Sequence, residues 1–348
     1  MHALYFTAPR RIEIRSETLS ALASGRLLIQ TLFTAISPGT EMLLYRGEAP
    51  PNIVADENIA SLAGELCYPL KYGYASVGRV TDAGSLDLAG WVNQIVFSFQ
   101  PHQTHFIARP DQAILIPEGI TPEQALFLPN METAVNFVMD GQPLIGERVA
   151  IFGQGIVGLL TTALLAQFPL EKLITFDHFP LRRAASLKAG ANESLSPEFL
   201  RIPTSDSRSH EFPKVPTNSQ KFPSSFDLTY ELTGSPAALN DAIGVTGYDG
   251  RVVIGSWYGQ KRAPIDLGGY FHRSRIRLIS SQVSTLAPQF SGRWDKARRF
   301  DVAWEMIRRV RPERWITHRI PFERAEKAYQ SLDQTPHEAI QTILEYLP

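Results

Sequence analysis

The chain has 348 residues, 44% hydrophobic and 20% charged, with 34 basic against 35 acidic side chains. That balance gives no reason to expect nucleic acid or an anionic membrane as a partner, and the length suffices for one large or two moderate domains. A single cysteine, Cys67, leaves no partner for an internal disulfide and excludes a cysteine-rich structural zinc site.

In chain order, Met1-His2-Ala3-Leu4-Tyr5-Phe6 runs straight into strand-like sequence, with no basic segment ahead of an apolar one. We therefore read no signal peptide. No apolar run reaches the ~18 residues a membrane span needs, so the expectation is a cytoplasmic protein. Short strand signals at 27–33, 75–81, 92–99 and 113–116, separated by turn residues, predict a β-rich module over the first 120 or so residues. Thr121 as N-cap and Pro122 at the first helical position start a helix that should run to about Met139 and stop at Gly141. From Val149 the texture changes. Val149-Ala150-Ile151-Phe152 is a continuously apolar run of the kind buried on both faces of a parallel sheet. A glycine turn, an apolar helix, the strand 173–177, a helix over 181–189 stopped by Gly190, and strands at 226–230, 251–255 and 276–280 follow. This alternation predicts a doubly wound α/β domain. Residues 196–225, loaded with Pro, Ser, Thr, Asn and Lys, read as a long surface insertion. Near the end, Trp294, Ala297, Phe300, Trp304, Ile307 and Val310 form one apolar helical stripe, leaving Arg298, Arg299, Arg308, Arg309 and Arg311 to a solvated face.

The turn Gly153-Gln154-Gly155-Ile156-Val157-Gly158 lies directly between a buried strand and an apolar helix, the context a phosphate-cradling motif needs. Gly153 permits the tight turn, Gly155 lets the backbone approach a pyrophosphate, and Gly158 lets helix and strand pack closely. Asp177 falls 24 residues after Gly153, at the end of the second strand. A carboxylate there accepts hydrogen bonds from a ribose diol and repels a 2′-phosphate, so NAD(H) is favoured over NADP(H). Arg182 and Arg183 could fold back towards a phosphate. Thr233-Gly234-Ser235 and Gly255-Ser256 place further small residues just past strand ends, adding Thr233, Gly234, Gly255 and Ser256 to the cofactor set.

Four segments together, Ser37-Pro38-Gly39-Thr40-Glu41, Tyr72-Gly73-Tyr74-Ala75-Ser76-Val77-Gly78-Arg79-Val80, the glycine turn with Asp177, and Glu231-Leu232-Thr233-Gly234-Ser235, resemble the medium-chain dehydrogenase/reductase superfamily. The resemblance covers nearly the whole chain. It implies an α/β protein with a β-rich, chaperonin-10-like catalytic domain, expected at 1–130 and 287–348, and a doubly wound Rossmann domain at 131–286. It also implies pairing into a homodimer through the last sheet strand, around 276–283. Within the superfamily, Ile36 to Glu41 with Tyr45-Arg46-Gly47 and Tyr68-Pro69-Leu70 are closest to the branch that includes bacteriochlorophyllide dehydrogenase. The substrate is not carried over with that likeness.

The departures bear on chemistry. Where zinc-dependent members have Cys-Gly-Thr-Asp, this chain has Pro38-Gly39-Thr40-Glu41, and where they have Gly-His-Glu it has Gly73-Tyr74-Ala75. The third ligand position, near Leu128-Pro129, has no ligating side chain, and the four-cysteine lobe is missing. Zinc needs three protein ligands, usually His, Cys, Asp or Glu, so the expectation is no zinc. Hydride transfer to or from a small alcohol/carbonyl substrate must then rest on hydroxyls: Thr40, matching the family's proton relay, and Tyr74, standing where a zinc-binding His would project. His102 and His105, expected in one loop, could shuttle protons or bind metal, or simply face water. Glu41 reads as a structural partner of an arginine. Arg273 or Arg275 could meet a phosphate or anionic substrate. Reduction of an activated double bond and a catalytically silent NAD-binding protein are the competing functions.

Overall fold

Two hydrophobic patterns divide the chain, and in the computed structural model they separate into residues 1–129 with 300–348 (unit 1) and residues 130–299 (unit 2). The structure describes residues 1–51, 53–54, 59–62, 64–200 and 225–347. Most of the expected insertion at 196–225 lies outside the described residues.

The first part of unit 1 carries β1 (His2–Ala8), β2 (Arg11–Ser16), β3 (Leu27–Ala35), β4 (Leu70–Lys71), β5 (Ser76–Ala83), β6 (Ile95–Ser98), β7 (His105–Ala108) and β8 (Ile114–Leu115). A small antiparallel sheet has the order β2-β1-β4. In a larger one, β3 pairs antiparallel with both β5 and β7, and β6 and β8 extend it beyond β5. Period-2 alternation puts Leu27 and Ile29 of β3 at the core with Val80, Val96 and Phe106. Thr121 caps the next helix as the sequence predicts: its hydroxyl accepts from Gln124 N, and the Gln124 side chain accepts from Thr121 N. The predicted single helix is interrupted, however, into Pro122–Ala125 and Leu128–Gly141.

Unit 2 holds β9 (Arg148–Phe152), β10 (Lys172–Phe176), β11 (Glu193–Leu195), β12 (Phe226–Glu231), β13 (Thr246–Ile254) and β14 (Arg277–Ser280). They form one parallel sheet in the order β11-β10-β9-β12-β13-β14, the doubly wound order with its switch point between β9 and β12. The apolar run in β9 has the predicted cause. Ala150 and Phe152 pack on one face with Ile174 and Phe176, while Val149 and Ile151 pack on the other with Leu173 and Leu228. Gly190 ends the helix Pro180–Ala189 at φ 110°.

The chain returns to unit 1 through the helix Lys296–Val310, β15 (Ile316–Pro321), the helix Ala325–Gln334 and β16 (Gln341–Glu345), which pairs antiparallel with β3. One sequence reading fails here. Trp304, Ile307 and Val310 are buried and Arg298, Arg308, Arg309 and Arg311 exposed as expected, but Ala297 is exposed and Arg299 is fully buried. Arg299 donates from Nε and Nη2 to Glu132 Oε1 (3.0 and 2.8 Å) and from Nη1 to Asn136 Oδ1 (2.7 Å), with further bonds to the carbonyls of Val283 and Thr285. A guanidinium with this many partners is stable inside a core, and periodicity cannot see the partners. Arg299 and these partners all belong to unit 2.

Candidate functional site

In unit 2 the glycine turn joins β9 to the helix Ile156–Leu165, whose N-cap is Gly155. Two of its glycines are fixed by contact. A Cβ on Gly153 (φ 90°) would lie 2.6 Å from Leu232 O, and one on Gly158 would lie 2.0 Å from Gly153 O. At Gly155 a Cβ would meet nothing within 4 Å, so the backbone there faces open space. That is the arrangement a pyrophosphate requires: free N–H groups at a helix start, with no side chain in the way. Gln154 and Ile156 are buried, and Val157 is partly exposed. Gln154 braces the turn: its Nε2 donates to Gly153 O (3.0 Å) and its Oε1 accepts from Thr162 Oγ1 (2.9 Å).

Asp177, nearly buried, sits beside this turn. Its Oδ2 accepts from Gln154 N (2.7 Å) and its Oδ1 from Phe179 N (2.8 Å). Each carboxylate oxygen has a second lone-pair direction, so capacity remains for a ribose diol. Arg183 turns away from any phosphate role, donating from Nη1 to the carbonyls of Asp177 and His178 (2.8 Å each). Arg182 lies over the Phe179 ring, and burial lowers its pKa.

The loops after β12 and β13 are tied by a residue to which the sequence reading gave no role. Glu231, fully buried at the end of β12, accepts from Thr233 N (2.8 Å) and Thr233 Oγ1 (2.5 Å) on one oxygen, and from Tyr258 OH (2.5 Å) on the other. Burial, then the Glu231 charge, raises the Tyr258 pKa and keeps the phenol a donor. Gly234 N donates to Ser256 Oγ (2.8 Å), and Lys261 Nζ donates to Gly234 O (3.1 Å). Thr233, Gly234, Gly255 and Ser256 thus stand on a braced carboxyl edge. The missed signal was an acid at the last residue of an apolar strand, followed by hydroxyl and glycine. Arg273 and Arg275, by contrast, precede β14 and so lie at the amino edge of a parallel sheet, with Asp249 N bonded to Ser274 O (2.7 Å). They cannot serve a ligand at the carboxyl edge.

In unit 1, Tyr74 is half-buried and its hydroxyl donates to Ser37 Oγ (2.5 Å). Thr40 occupies the N-cap of the short helix Glu41–Arg46, and its backbone N–H makes a long 3.4 Å bond to the same Ser37 oxygen. The sequence placed Thr40 and Tyr74 at one site without Ser37, which joins them. His102 departs from expectation: it is fully buried and not in an open loop. Its Nε2 pairs with Glu41 Oε2 (2.9 Å) and its Nδ1 with Thr34 Oγ1 (2.7 Å), so both ring nitrogens are engaged. A proton shuttle facing substrate is therefore withdrawn for His102, and Glu41 finds a histidine where an arginine was expected. His105 begins β7, bonded to Thr104 Oγ1 (3.1 Å), apart from His102.

The residues at the family's zinc position do not fit that metal. Pro38 has no donor, and the Tyr74 hydroxyl is bound to Ser37. Among the described residues, no three His, Cys, Asp or Glu side chains gather to hold a metal ion. No helix among them is long and apolar enough to cross a membrane.

No family model matches the chain. It is 27% identical over 233 residues to an alcohol dehydrogenase from Cupriavidus necator, covering 56% of this chain and 63% of that one. The chain thus spans less than two thirds of that relative's length. With D-guloside 3-dehydrogenase from Escherichia coli K12 it is 23% identical over 357 residues, 98% of each chain. The fold matches a short chain alcohol dehydrogenase of Escherichia coli CFT073 complexed with NADH (TM-score 0.74, 16% identity, 99% of each chain). It also matches a zinc-binding dehydrogenase candidate of Sinorhizobium meliloti bound to NADP (TM-score 0.72, 17% identity, 99% and 98%). At these identities the solved structures speak for the fold alone. The doubly wound sheet and the glycine turn agree with these likenesses: the chain is similar in sequence to alcohol and polyol dehydrogenases and shares the fold of solved dehydrogenases.

Proposed function

We propose that the protein is an NAD(H)-dependent oxidoreductase that interconverts an alcohol and a carbonyl without zinc. What supports this reading is the open glycine turn at a helix start, and a proline and a hydrogen-bonded phenol at the positions where zinc-dependent dehydrogenases have ligands. NAD(H), when bound, supplies or accepts the hydride. Gly155 and the first turn of Ile156–Leu165 would hold the pyrophosphate, and Asp177 the ribose diol, favouring NAD(H) over NADP(H) by charge. At the substrate, the Tyr74 hydroxyl would release Ser37 and donate to the oxygen on which negative charge develops, with Thr40 moving the proton. The relatives' names, alcohol, sorbitol and L-threonine dehydrogenases among them, make small hydroxylated molecules the substrate class to try. A homodimer joined at β14, the edge strand, and a cytoplasmic setting belong to the same proposal.

The test is twofold. Fluorescence titration should show NADH binding at least about tenfold tighter than NADPH, as expected for a carboxylate facing the 2′ position; equal or reversed affinity contradicts the NAD preference. On a panel of alcohols and polyols with NAD⁺, Tyr74→Phe should cut turnover about a hundredfold with NADH affinity unchanged. Cofactor binding without turnover of any panel member would make the chain a silent NAD-binding protein.

A further inference from the structure

Unit 1 buries a polar cluster to which the proposed chemistry assigns no task. Glu41 is fully buried and takes three donors: Ser37 N on Oε1 (2.8 Å), and Tyr329 OH (2.5 Å) and His102 Nε2 (2.9 Å) on Oε2. His102 is bonded in turn to Thr34 Oγ1, which meets Tyr346 OH at 3.1 Å. Burial of this kind is costly, and apolar residues of similar volume often serve stability as well or better. A buried carboxylate therefore calls for a reason beyond packing.

The geometry supplies one. Glu41 grips the segment that carries the acceptor of Tyr74. Its Oε1 holds Ser37 N, while its own N–H donates to Ser37 O (2.9 Å), so both backbone groups of Ser37 are fixed by one residue. Ser37 Oγ then receives the Tyr74 hydroxyl. His102 grips the other segment. A Cβ on Gly73 (φ 120°) would lie 2.9 Å from His102 Cδ2 and Nε2, and His102 N donates to Tyr72 O (3.3 Å). The backbone on the N-terminal side of Tyr74 is thus seated on the imidazole.

We propose that the buried Glu41–His102 pair is a positioning device that clamps residues 37–41 to residues 72–74 and so sets the hydroxyl of Tyr74. Glu41 and His102 are positioning residues, not catalytic ones, since they act through Ser37 and Gly73. The proposal rests on the reading of Tyr74 as the substrate's donor for its purpose, but the clamp itself can be observed without any substrate.

The experiment uses the full chain labelled with ¹³Cζ-tyrosine, which gives one resonance for each of the 11 tyrosines. Tyr74→Phe identifies the Tyr74 signal. Glu41→Gln keeps the volume and replaces one carboxyl oxygen, an acceptor, by an amide donor. The clamp predicts that it shifts the Tyr74 resonance towards its position in Ser37→Ala, where the acceptor is gone. Tyr329, bonded directly to Glu41, shifts in any case, and tyrosines remote from the cluster stay put. A Tyr74 resonance unmoved in folded Glu41→Gln overturns the proposal. Should that variant not fold, Tyr329→Phe, which removes one donor and leaves the carboxylate, is expected to shift Tyr74 in the same sense by less; no shift is equally fatal.

Turnover separates the clamp from the catalytic reading. With a panel alcohol, Glu41→Gln should lower kcat about tenfold in the parent chain, as displaced catalytic groups do, and not at all in the Tyr74→Phe background. An equal loss in both backgrounds means a merely structural role and overturns the clamp's purpose. If Tyr74→Phe leaves turnover intact, the catalytic reading falls, while the resonance still decides the clamp.

Discussion

The carboxyl edge of the unit 2 sheet and the buried cluster of unit 1 hold their functional groups by opposite means. At the sheet edge, conformation is set by what is absent: no Cβ at Gly153, Gly155 or Gly158, so backbone meets backbone and a helix start is left open. In unit 1, conformation is set by what is present, a carboxylate and an imidazole whose every polar atom is hydrogen-bonded. The first device tolerates no side chain at Gly153 or Gly158, and the second no unpaired polar group. Variation at the two regions should therefore fail in different ways.

The largest effect is expected at the glycine turn. Gly158→Val places a side chain 2.0 Å from Gly153 O, against backbone that cannot yield. It should lower stability by more than about 4 kcal/mol and abolish NADH binding, measured by chemical denaturation and fluorescence; near-normal binding would mean the turn is looser than its contacts imply. Next comes Arg299→Met, which leaves Glu132 buried without its cation. Burial already raises the Glu132 pKa against the pull of Arg299. The loss should be about 3–5 kcal/mol, and Glu132→Leu in the same chain should recover most of it. Additive losses would show that the pair is not what holds residue 299 to unit 2. Tyr258→Phe takes one donor from Glu231, for about 1–2 kcal/mol and a few-fold weaker NADH binding. That loss should appear in affinity more than in turnover, since the tie supports loops and touches no reacting atom.

The smallest effect is a pH dependence outside both regions. Burial pushes the Asp333 carboxyl up, but hydrogen bonds from Arg46 and Arg10 outweigh it and hold its pKa below the ordinary value. Its folded pKa being depressed, the stability it contributes is present above the ordinary carboxylate range, about pH 4, and is lost as pH falls through the folded value. Asp333→Asn should flatten that acid limb of the unfolding curve; an unchanged limb assigns it to other carboxylates.

These contrasts also explain what the sequence could disclose. The parallel sheet was readable because β9 is apolar at every position from Val149 to Phe152, and the glycine turn because it stands directly between a strand and a helix. Capping at Thr121 and the stop at Gly190 are local and were equally plain. What escaped was set by distant partners. His102 meets Glu41 across 61 residues and Arg299 meets Glu132 across 167, and neither burial leaves a periodic trace. Isolated charges read as surface until the partner is known. Glu231 fell between the two: its place at a strand end was visible, but Tyr258 lies 27 residues on.

The central claim, oxidation and reduction without zinc, is tested most directly by metal-stripping. The purified protein is dialysed against a strong zinc chelator, its metal content is measured, and NAD⁺-dependent oxidation of its best alcohol is compared before and after. The account predicts sub-stoichiometric zinc throughout and undiminished turnover. Stoichiometric zinc, or activity lost on chelation and restored by zinc, would contradict it.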